Sequence, residues 1–299
     1  MLKKEDITTK SWADYELLDS GNGRKLERFG KIMTDRPDTQ AIWMPLKSDL
    51  WSDAQARFIT EAKDGKWTLH DDTPVDWQVD FEDLTFKLHF TSFKHVGLFP
   101  EHASQWSWIM EKVKGMKKGN TSPSVLNLFG YTGAATLAAA KAGAKVTHVD
   151  SSKQSMEWAS ENAKASKLPD DAVRWIVDDA AAFVKRGVRR GAKYDGIILD
   201  PPAFGRGAKG QVWHIEEDLV PLLKNLKDIL SDKPGSFVVL SGYAAGFAPE
   251  AFAQAVESIF DKVTGTFGSL NIQESSSDRV IPTGIYVRFI VYSTVDIIP

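Results

Sequence analysis

The chain reads as an α/β protein, a doubly wound sheet of seven strands interleaved with helices, preceded by a smaller β-rich domain. Three stretches carry that reading. Val125-Leu-Asn-Leu-Phe-Gly-Tyr-Thr-Gly133 is an apolar strand that runs into a glycine turn and then a helical stretch, 134–142. Lys145-Val-Thr-His-Val149 is a second strand and ends on an acid, Asp150. Leu199-Asp-Pro-Pro-Ala-Phe204 closes a later strand with an acid, two prolines and an aromatic ring. Strand, glycine turn, helix, strand is the opening of a Rossmann-like domain, in which ligands lie at the carboxyl ends of the strands.

The N-terminal third has a different texture. Seven of the ten tryptophans fall within residues 1–108, and so much bulky apolar surface implies a folded region. Turn signals at Gly21-Asn-Gly23, Asp64-Gly65 and Asp71-Asp-Thr-Pro74 separate short segments. Leu84-Thr-Phe-Lys-Leu-His-Phe90 alternates as a half-buried strand does. Residues 1–95 are expected to form a β-rich domain suited to substrate recognition, 96–123 a linker with a helix over 103–118, and 124–299 the nucleotide-type domain. In that domain Ser151 or Ser152 can cap a helix running to about residue 167, with Trp158 on its buried side. Strands follow at 173–177, 194–199, 236–240, 264–270 and 285–292, with helices from 180, over 215–230 and over 248–260.

Bulk properties narrow the function. Hydrophobic residues make up 42% and charged residues 26% of the chain, and the formal net charge is -3, which argues against coating by nucleic acid through bulk charge. Residues 1–108 carry 14 Lys+Arg against 19 Asp+Glu, so the remainder is slightly basic. The absence of cysteine excludes disulfides, thiolate metal sites and cysteine nucleophiles. No apolar run reaches membrane-spanning length and no signal-peptide core opens the chain, so a soluble, cytoplasmic protein without membrane or metal partners is expected.

The site residues come next. Gly130 and Gly133 are spaced Gly-x-x-Gly, so the dinucleotide fingerprint Gly-x-Gly-x-x-Gly is absent here. A glycine turn lets backbone approach a ligand closely, and the following helix N-terminus favours an anion; a structural tight turn explains the glycines equally well. Asp150 at a strand end can accept two ribose hydroxyls. A third acid, Asp178 or Asp179, follows the third strand, where Asp178 can also be solvated or cap a helix. Phe129 and Tyr131 flank the glycine, for packing or for contact with a cation. In Asp200-Pro-Pro-Ala-Phe204 the prolines fix the backbone and lack amide donors, leaving carbonyls directed into the crevice. The Asp200 carboxylate and the Pro201 carbonyl can accept protons from a planar amine, Pro202 stiffens the turn, and Phe204 can stack on a ring. Gly205-Arg-Gly-Ala-Lys-Gly210 is expected to be a mobile cationic loop whose Arg206 and Lys209 meet phosphates.

Together these motifs resemble class I S-adenosylmethionine-dependent methyltransferases, and the whole chain is similar to the Methyltrans_SAM family, relatives of bacterial large-subunit ribosomal RNA methyltransferases. The resemblance implies S-adenosyl-L-methionine as cofactor, held by Asn127, Phe129, Gly130, Tyr131, Thr132, Gly133, Asp150, Ser151 and Asp200. It implies that Asp178 or Asp179 accepts the adenine amine, with Asp179 favoured by its Asp-Ala-x-x-Phe setting. Gly97-Leu-Phe-Pro-Glu-His-Ala-Ser-Gln105 is similar to the family segment that folds over the cofactor, which makes Phe99, His102 and Gln105 candidate contacts. An RNA substrate is implied, modified at a nitrogen of a base, because cytosine-5 chemistry in the relatives uses a cysteine and this chain has none. Small-molecule or protein methylation, an NAD-dependent oxidoreductase and a non-catalytic RNA-associated module are the alternatives.

Overall fold

The computed structural model describes residues 1–291 apart from 62–63, 118, 120, 208–209 and 244–245. In chain order the first strands are β1 (Leu2–Lys4), β2 (Ile7–Thr9), β3 (Tyr15–Gly21), β4 (Arg24–Phe29), β5 (Ile32–Pro37), β6 (Ala56–Glu61), β7 (Asp64–Leu69), β8 (Asp76–Phe81) and β9 (Leu84–His89). There follow α1 (Ala103–Met116), β10 (Ser124–Leu128), α2 (Ala134–Lys141), β11 (Lys145–Asp150), α3 (Lys153–Ala165), β12 (Val173–Val177), α4 (Ala180–Arg189) and β13 (Gly196–Leu199). The last elements are β14 (Phe204–Arg206), β15 (Val212–His214), α5 (Ile215–Ile229), β16 (Phe237–Gly242), α6 (Pro249–Glu257), β17 (Val263–Gln273) and β18 (Val280–Val291). No helix among the described residues is long and apolar enough to cross a membrane.

The chain divides into two compact units. The larger comprises Met1–Ile7, Ser104–Ser269 and the chain from Gly284; the smaller comprises Thr8–Ala103 and Leu270–Thr283. Membership therefore does not follow chain order, in contrast to the contiguous 1–95, 96–123 and 124–299 expected above. The reason is pairing. β1 runs parallel to β17, Leu2 opposite Gly265, and so joins the large sheet. Its Leu-Lys-Lys is too short and too charged to show strand periodicity in sequence.

In the larger unit the strand order is β1-β17-β18-β16-β13-β10-β11-β12. The seven expected strands are all present, doubly wound, with β10, β11, β12, β13 and β16 parallel and β18 antiparallel to β16. Counting β1 and β2 the sheet has nine strands, not seven. Every residue of β13 and β16 is buried, the continuous apolar run of a strand covered on both faces. On α5, Ile215, Leu219, Leu222, Leu226 and Ile229 form the buried stripe that packs against them, burying roughly 1.5–3 kcal/mol per side chain. Ser152, not Ser151, caps α3 by accepting the Ser155 N–H at 3.1 Å, and Trp158 faces inward at 6% exposure.

The smaller unit holds a five-stranded sheet, β3-β4-β5-β6-β7, and the separate β8–β9 hairpin. Asn22 and Gly23, both at positive φ, make the two-residue turn that links β3 to β4. Gly65 lies inside β7 opposite Thr60 instead of in a turn: a Cβ there would lie 2.2 Å from the Phe58 ring. Leu84, Phe86 and Leu88 are the buried side of β9, as the alternation predicts. Under the sheet the Glu27 carboxylate accepts from the Tyr15 hydroxyl and from the Arg36 guanidinium, both at 2.9 Å. A buried charge is tolerated because it is paired and hydrogen-bonded.

Candidate cofactor and acceptor site

Register aligns the candidate residues along one edge of the large sheet. Leu128 of β10 pairs with Val149 of β11 and with Leu199 of β13, Asp150 pairs with Val177 of β12, and Leu199 pairs with Leu240 of β16. The glycine turn, Asp150, Asp178 and Asp200 thus leave the carboxyl ends of four adjacent strands, which lie about 4.8 Å apart. The order departs on both sides of β10 toward β11 and β13, the switch point at which such sheets bind ligands.

The turn after β10 is unusual in where it puts its strain. Phe129 and Tyr131 adopt left-handed φ values of 54° and 47°, while Gly130 between them does not; Gly133 does, at 91°. Bulky residues in that region cost about 1–3 kcal/mol each and persist only where their surroundings hold them. Tyr131 is held by its N–H, which donates to Asp150 Oδ2 at 2.8 Å, and Phe129 by Trp213, 5.1 Å away between ring centroids. Gly130 is needed for room: a Cβ there would meet the His148 ring at 2.3 Å. Below the turn runs a buried chain of polar groups. Asn127 Nδ2 donates to Thr136 Oγ1, which lies 2.8 Å from His148 Nδ1. Burial lowers the His148 pKa to about 3, so the ring is neutral, and it packs on Trp175. Asn127 therefore supports the turn from beneath. Thr132 is buried as well, and its carbonyl accepts from Asn162 of α3 at 2.9 Å.

The acids divide their work. Asp150 accepts the Tyr131 N–H on one oxygen and the Ser152 N–H on the other, both at 2.8 Å, so its carboxylate is fixed in orientation. Burial raises its pKa, against which those two bonds act. Each oxygen keeps a second lone pair, the geometry needed to accept two vicinal hydroxyls. Half-buried Ser151 lies between Asp150 and the helix cap. Asp178 is ion-paired with Arg186 and also accepts the Asp179 N–H. Asp179, not Asp178, is the N-cap: its Oδ1 accepts the Ala182 N–H at 2.8 Å. That corrects the expectation of Asp178 as a cap, since α4 starts one residue later than that role requires. Oδ2 of Asp179 makes no hydrogen bond or ion pair among the described residues.

At the end of β13, Asp200 is exposed, Pro201 buried and Phe204 exposed at 52%. Of the stretch expected as a mobile loop, Gly205 and Arg206 instead belong to a strand of the β14–β15 hairpin, with Phe204 opposite His214, Gly205 opposite Trp213 and Arg206 opposite Val212. Its glycines hid a strand pair of three residues a side. Phe204 and His214 meet edge to face at 5.1 Å, and the Arg206 guanidinium lies 5.9 Å over the Phe204 ring. Lys209 lies outside the described residues. The Pro202 carbonyl does not open into the crevice, because Trp213 Nε1–H donates to it at 2.7 Å.

Phe99 and His102 belong to the smaller unit, where Phe99 packs at 4.9 Å on His95 and 6.5 Å from His102. Gln105 is in the larger unit, 2% exposed, its Oε1 accepting from Arg288 at 3.3 Å. Sequence reading passes over His148, Trp213 and His214; Val212 and Trp213 are both apolar, so the out-in-out burial of β15 leaves no alternation in the sequence.

A fixed carboxylate with spare lone pairs, a second acid at the next strand end and a cramped glycine turn before a helix N-terminus fit the ribose, adenine and amino-acid parts of S-adenosylmethionine. Residues 51–250 match the Methyltrans_SAM family, S-adenosylmethionine-dependent methyltransferase. The crystal structure of the S-adenosylmethionine-dependent methyltransferase from Agrobacterium tumefaciens is 36% identical, covers 97% of each chain and superposes with a TM-score of 0.87. A Streptococcus mutans structure, 18% identical over 93% of this chain and 75% of its own, shares the fold with a TM-score of 0.73. The ribosomal RNA large subunit methyltransferase K/L of Alteromonas mediterranea is 34% identical over 164 residues, 54% of this chain. The match spans 22% of that relative, so this chain corresponds to about a fifth of its length. By sequence and fold the chain belongs to the Methyltrans_SAM family of S-adenosylmethionine-dependent methyltransferases.

Proposed function

We propose that this methyltransferase modifies RNA in the cytoplasm, placing the methyl group on a nitrogen of a base. The observation that carries the reading is the exposed face of the β14–β15 hairpin, directly after Asp200. Phe204 and His214 offer it an aromatic pair and Arg206 a cation, the chemistry of a base followed by its phosphate. The curated relatives' description as ribosomal RNA methyltransferases supports the same class.

The cofactor supplies a methyl group already activated on a sulfonium. Asp200 and the Pro201 carbonyl then serve to position the acceptor. They accept the protons of a planar amine and hold its lone pair in line with the methyl carbon. With the cofactor bound, the methyl–sulfur bond would break as the N–C bond forms, leaving a neutral thioether, and the Asp200 carboxylate would take the amine proton and pass it to water. No thiolate adduct is available, since the chain has no cysteine. An extruded base is required, because a stacked one cannot reach the strand ends. Asp150 and Asp179 are assigned to the ribose and the adenine amine, and the smaller unit to substrate recognition.

The test is transfer of label from the methyl-labelled cofactor into extract of cells lacking the gene, fractionated into RNA, protein and metabolites. Label is expected in RNA. Asp200→Ala and Phe204→Ala should each lower kcat far more than S-adenosylhomocysteine affinity, because both position the acceptor. Label confined to protein or metabolites overturns the reading.

A further inference from the structure

The β14–β15 hairpin has two faces, and the inner one has no assigned role. Cross-strand partners share a face, so Phe204, His214, Arg206 and Val212 point one way and Gly205 and Trp213 the other. All four residues of the first face are exposed, whereas Trp213 is 7% exposed. Trp213 has two kinds of contact. Its ring lies 5.1 Å from Phe129, a left-handed residue of the cofactor turn. Its indole N–H is spent at 2.7 Å on the carbonyl of Pro202, inside the acceptor motif. Gly205, opposite it, keeps the strand close to that motif: a Cβ there would stand 3.3 Å from Pro202 Cγ. One side chain thus touches the turn that carries the cofactor and the backbone that carries the acceptor.

We infer that Trp213 is a positioning residue that couples the two halves of the reaction site, transmitting the placement of the cofactor turn through Phe129 to the Asp200-Pro-Pro backbone and the hairpin. The inference rests on the proposed acceptor role of that motif. Packing alone would be served by any large apolar side chain and would leave the indole N–H without a purpose. A buried indole donor that closes on a carbonyl fixes the orientation of the ring as well as its volume. Trp213 touches neither ligand in this scheme. It sets the distance and angle between the groups that do, to which transfer rates are steeply sensitive.

Two measurements decide it. Trp213→Phe keeps a ring against Phe129 and removes the N–H. It should lower kcat on RNA from cells lacking the gene by about tenfold, with KM for that RNA and the S-adenosylhomocysteine affinity within about threefold of wild type. A role in packing alone would lower the melting temperature and leave kcat per folded molecule unchanged, which overturns the proposal. The second measurement needs no acceptor: 19F NMR of protein labelled with 5-fluorotryptophan, with the Trp213 resonance assigned by its loss in Trp213→Phe, or in Trp213→Tyr should the first variant not fold. Saturating S-adenosylhomocysteine should move that resonance, and Phe129→Leu should abolish the movement while calorimetry still reports binding. A resonance that stays in place at saturation refutes the coupling. If wild-type protein labels no RNA, the RNA reading fails by itself and the NMR result alone judges Trp213.

Discussion

Gly130→Ala tests the strangest feature of the cofactor turn, that its glycine is there for space and not for a left-handed backbone. The added Cβ would lie 2.3 Å from His148 Cε1 and 2.6 Å from Nδ1. The ring cannot simply retreat: it is fully buried, bonded to Thr136 at 2.8 Å and packed on Trp175 at 5.0 Å. Overpacking of this kind costs about 1–3 kcal/mol, and displacing the ring adds about 1 kcal/mol for the Thr136 bond. A loss of about 2–4 kcal/mol should lower the melting temperature by roughly 5–15 °C for a unit of this size. If the turn yields instead, Phe129 and Tyr131 shift and the cost appears in cofactor affinity, tenfold for each 1.4 kcal/mol or so. Calorimetry with S-adenosylhomocysteine and thermal unfolding together capture either outcome. The diagnostic step is the double variant with His148→Ala, which removes the obstacle. Its combined cost should fall short of the sum of the single ones by about 1–3 kcal/mol. A Gly130→Ala protein with wild-type stability and affinity, or strict additivity in the cycle, refutes the steric account.

Four further outcomes are expected. Burial lowers the pKa of both His148 and His95 to about 3, so the folded protein binds fewer protons than the unfolded chain between that value and the ordinary histidine range. Stability should therefore fall as pH drops below about 6.5, by up to roughly 1.4 kcal/mol per unit per residue, and in denaturant titrations His148→Ala should flatten that slope for the larger unit. Asp150→Ala should weaken S-adenosylmethionine binding by about 1–3 kcal/mol, and because burial raises the Asp150 pKa, wild-type affinity should begin to fall above the usual carboxylate range as pH is lowered; unchanged calorimetric affinity in folded protein removes Asp150 from the site. Asp179→Asn should lose affinity for the cofactor while keeping its cap, since an amide oxygen can still accept from Ala182 but the amide nitrogen meets the adenine amine donor to donor; Asp178→Asn should lose less, and the opposite ranking reverses the assignment. Arg206→Ala should weaken RNA binding and reduce the slope of log affinity against log salt by about 1 in filter binding, and a slope unchanged from wild type would show that Arg206 meets no phosphate.

Periodicity located the larger unit well, both in β13 and β16, which are buried on both faces, and in β12, an edge strand with only Val173 buried. β12 occupies the residues its apolar run predicts, and β13 and β16 fall within a residue or two of theirs. Signals failed where a short element or a distant partner decides. The acids at 178 and 179 are indistinguishable until α4 places Arg186 beside the first of them. Three glycines in 205–210 read as a loop from Gly205 onward, although Gly205 and Arg206 still pair in a hairpin anchored by Trp213. Gly130 reads in sequence as a place for close approach to a ligand or for a tight turn, yet the flanking aromatics carry the left-handed angles and the glycine makes room for a histidine eighteen residues on. Such facts depend on which side chain lies underneath, and no local pattern encodes that.

The interlacing of the two units has a consequence for biosynthesis. The backbone passes between units after Ile7, Ala103, Ser269 and Thr283, so neither is complete when its main segment has been made. The smaller unit takes Ser275 N–H to the Leu17 carbonyl at 2.8 Å and buries Glu274 against Ser20, contacts that span more than 250 residues. β1, for its part, waits for β17. On a ribosome adding about 5–20 residues per second, the N-terminal strands spend many seconds without their last partners. Emergence of the segment from Val263 to Val291, more than the early growth of the chain, should mark the moment at which this enzyme becomes resistant to protease.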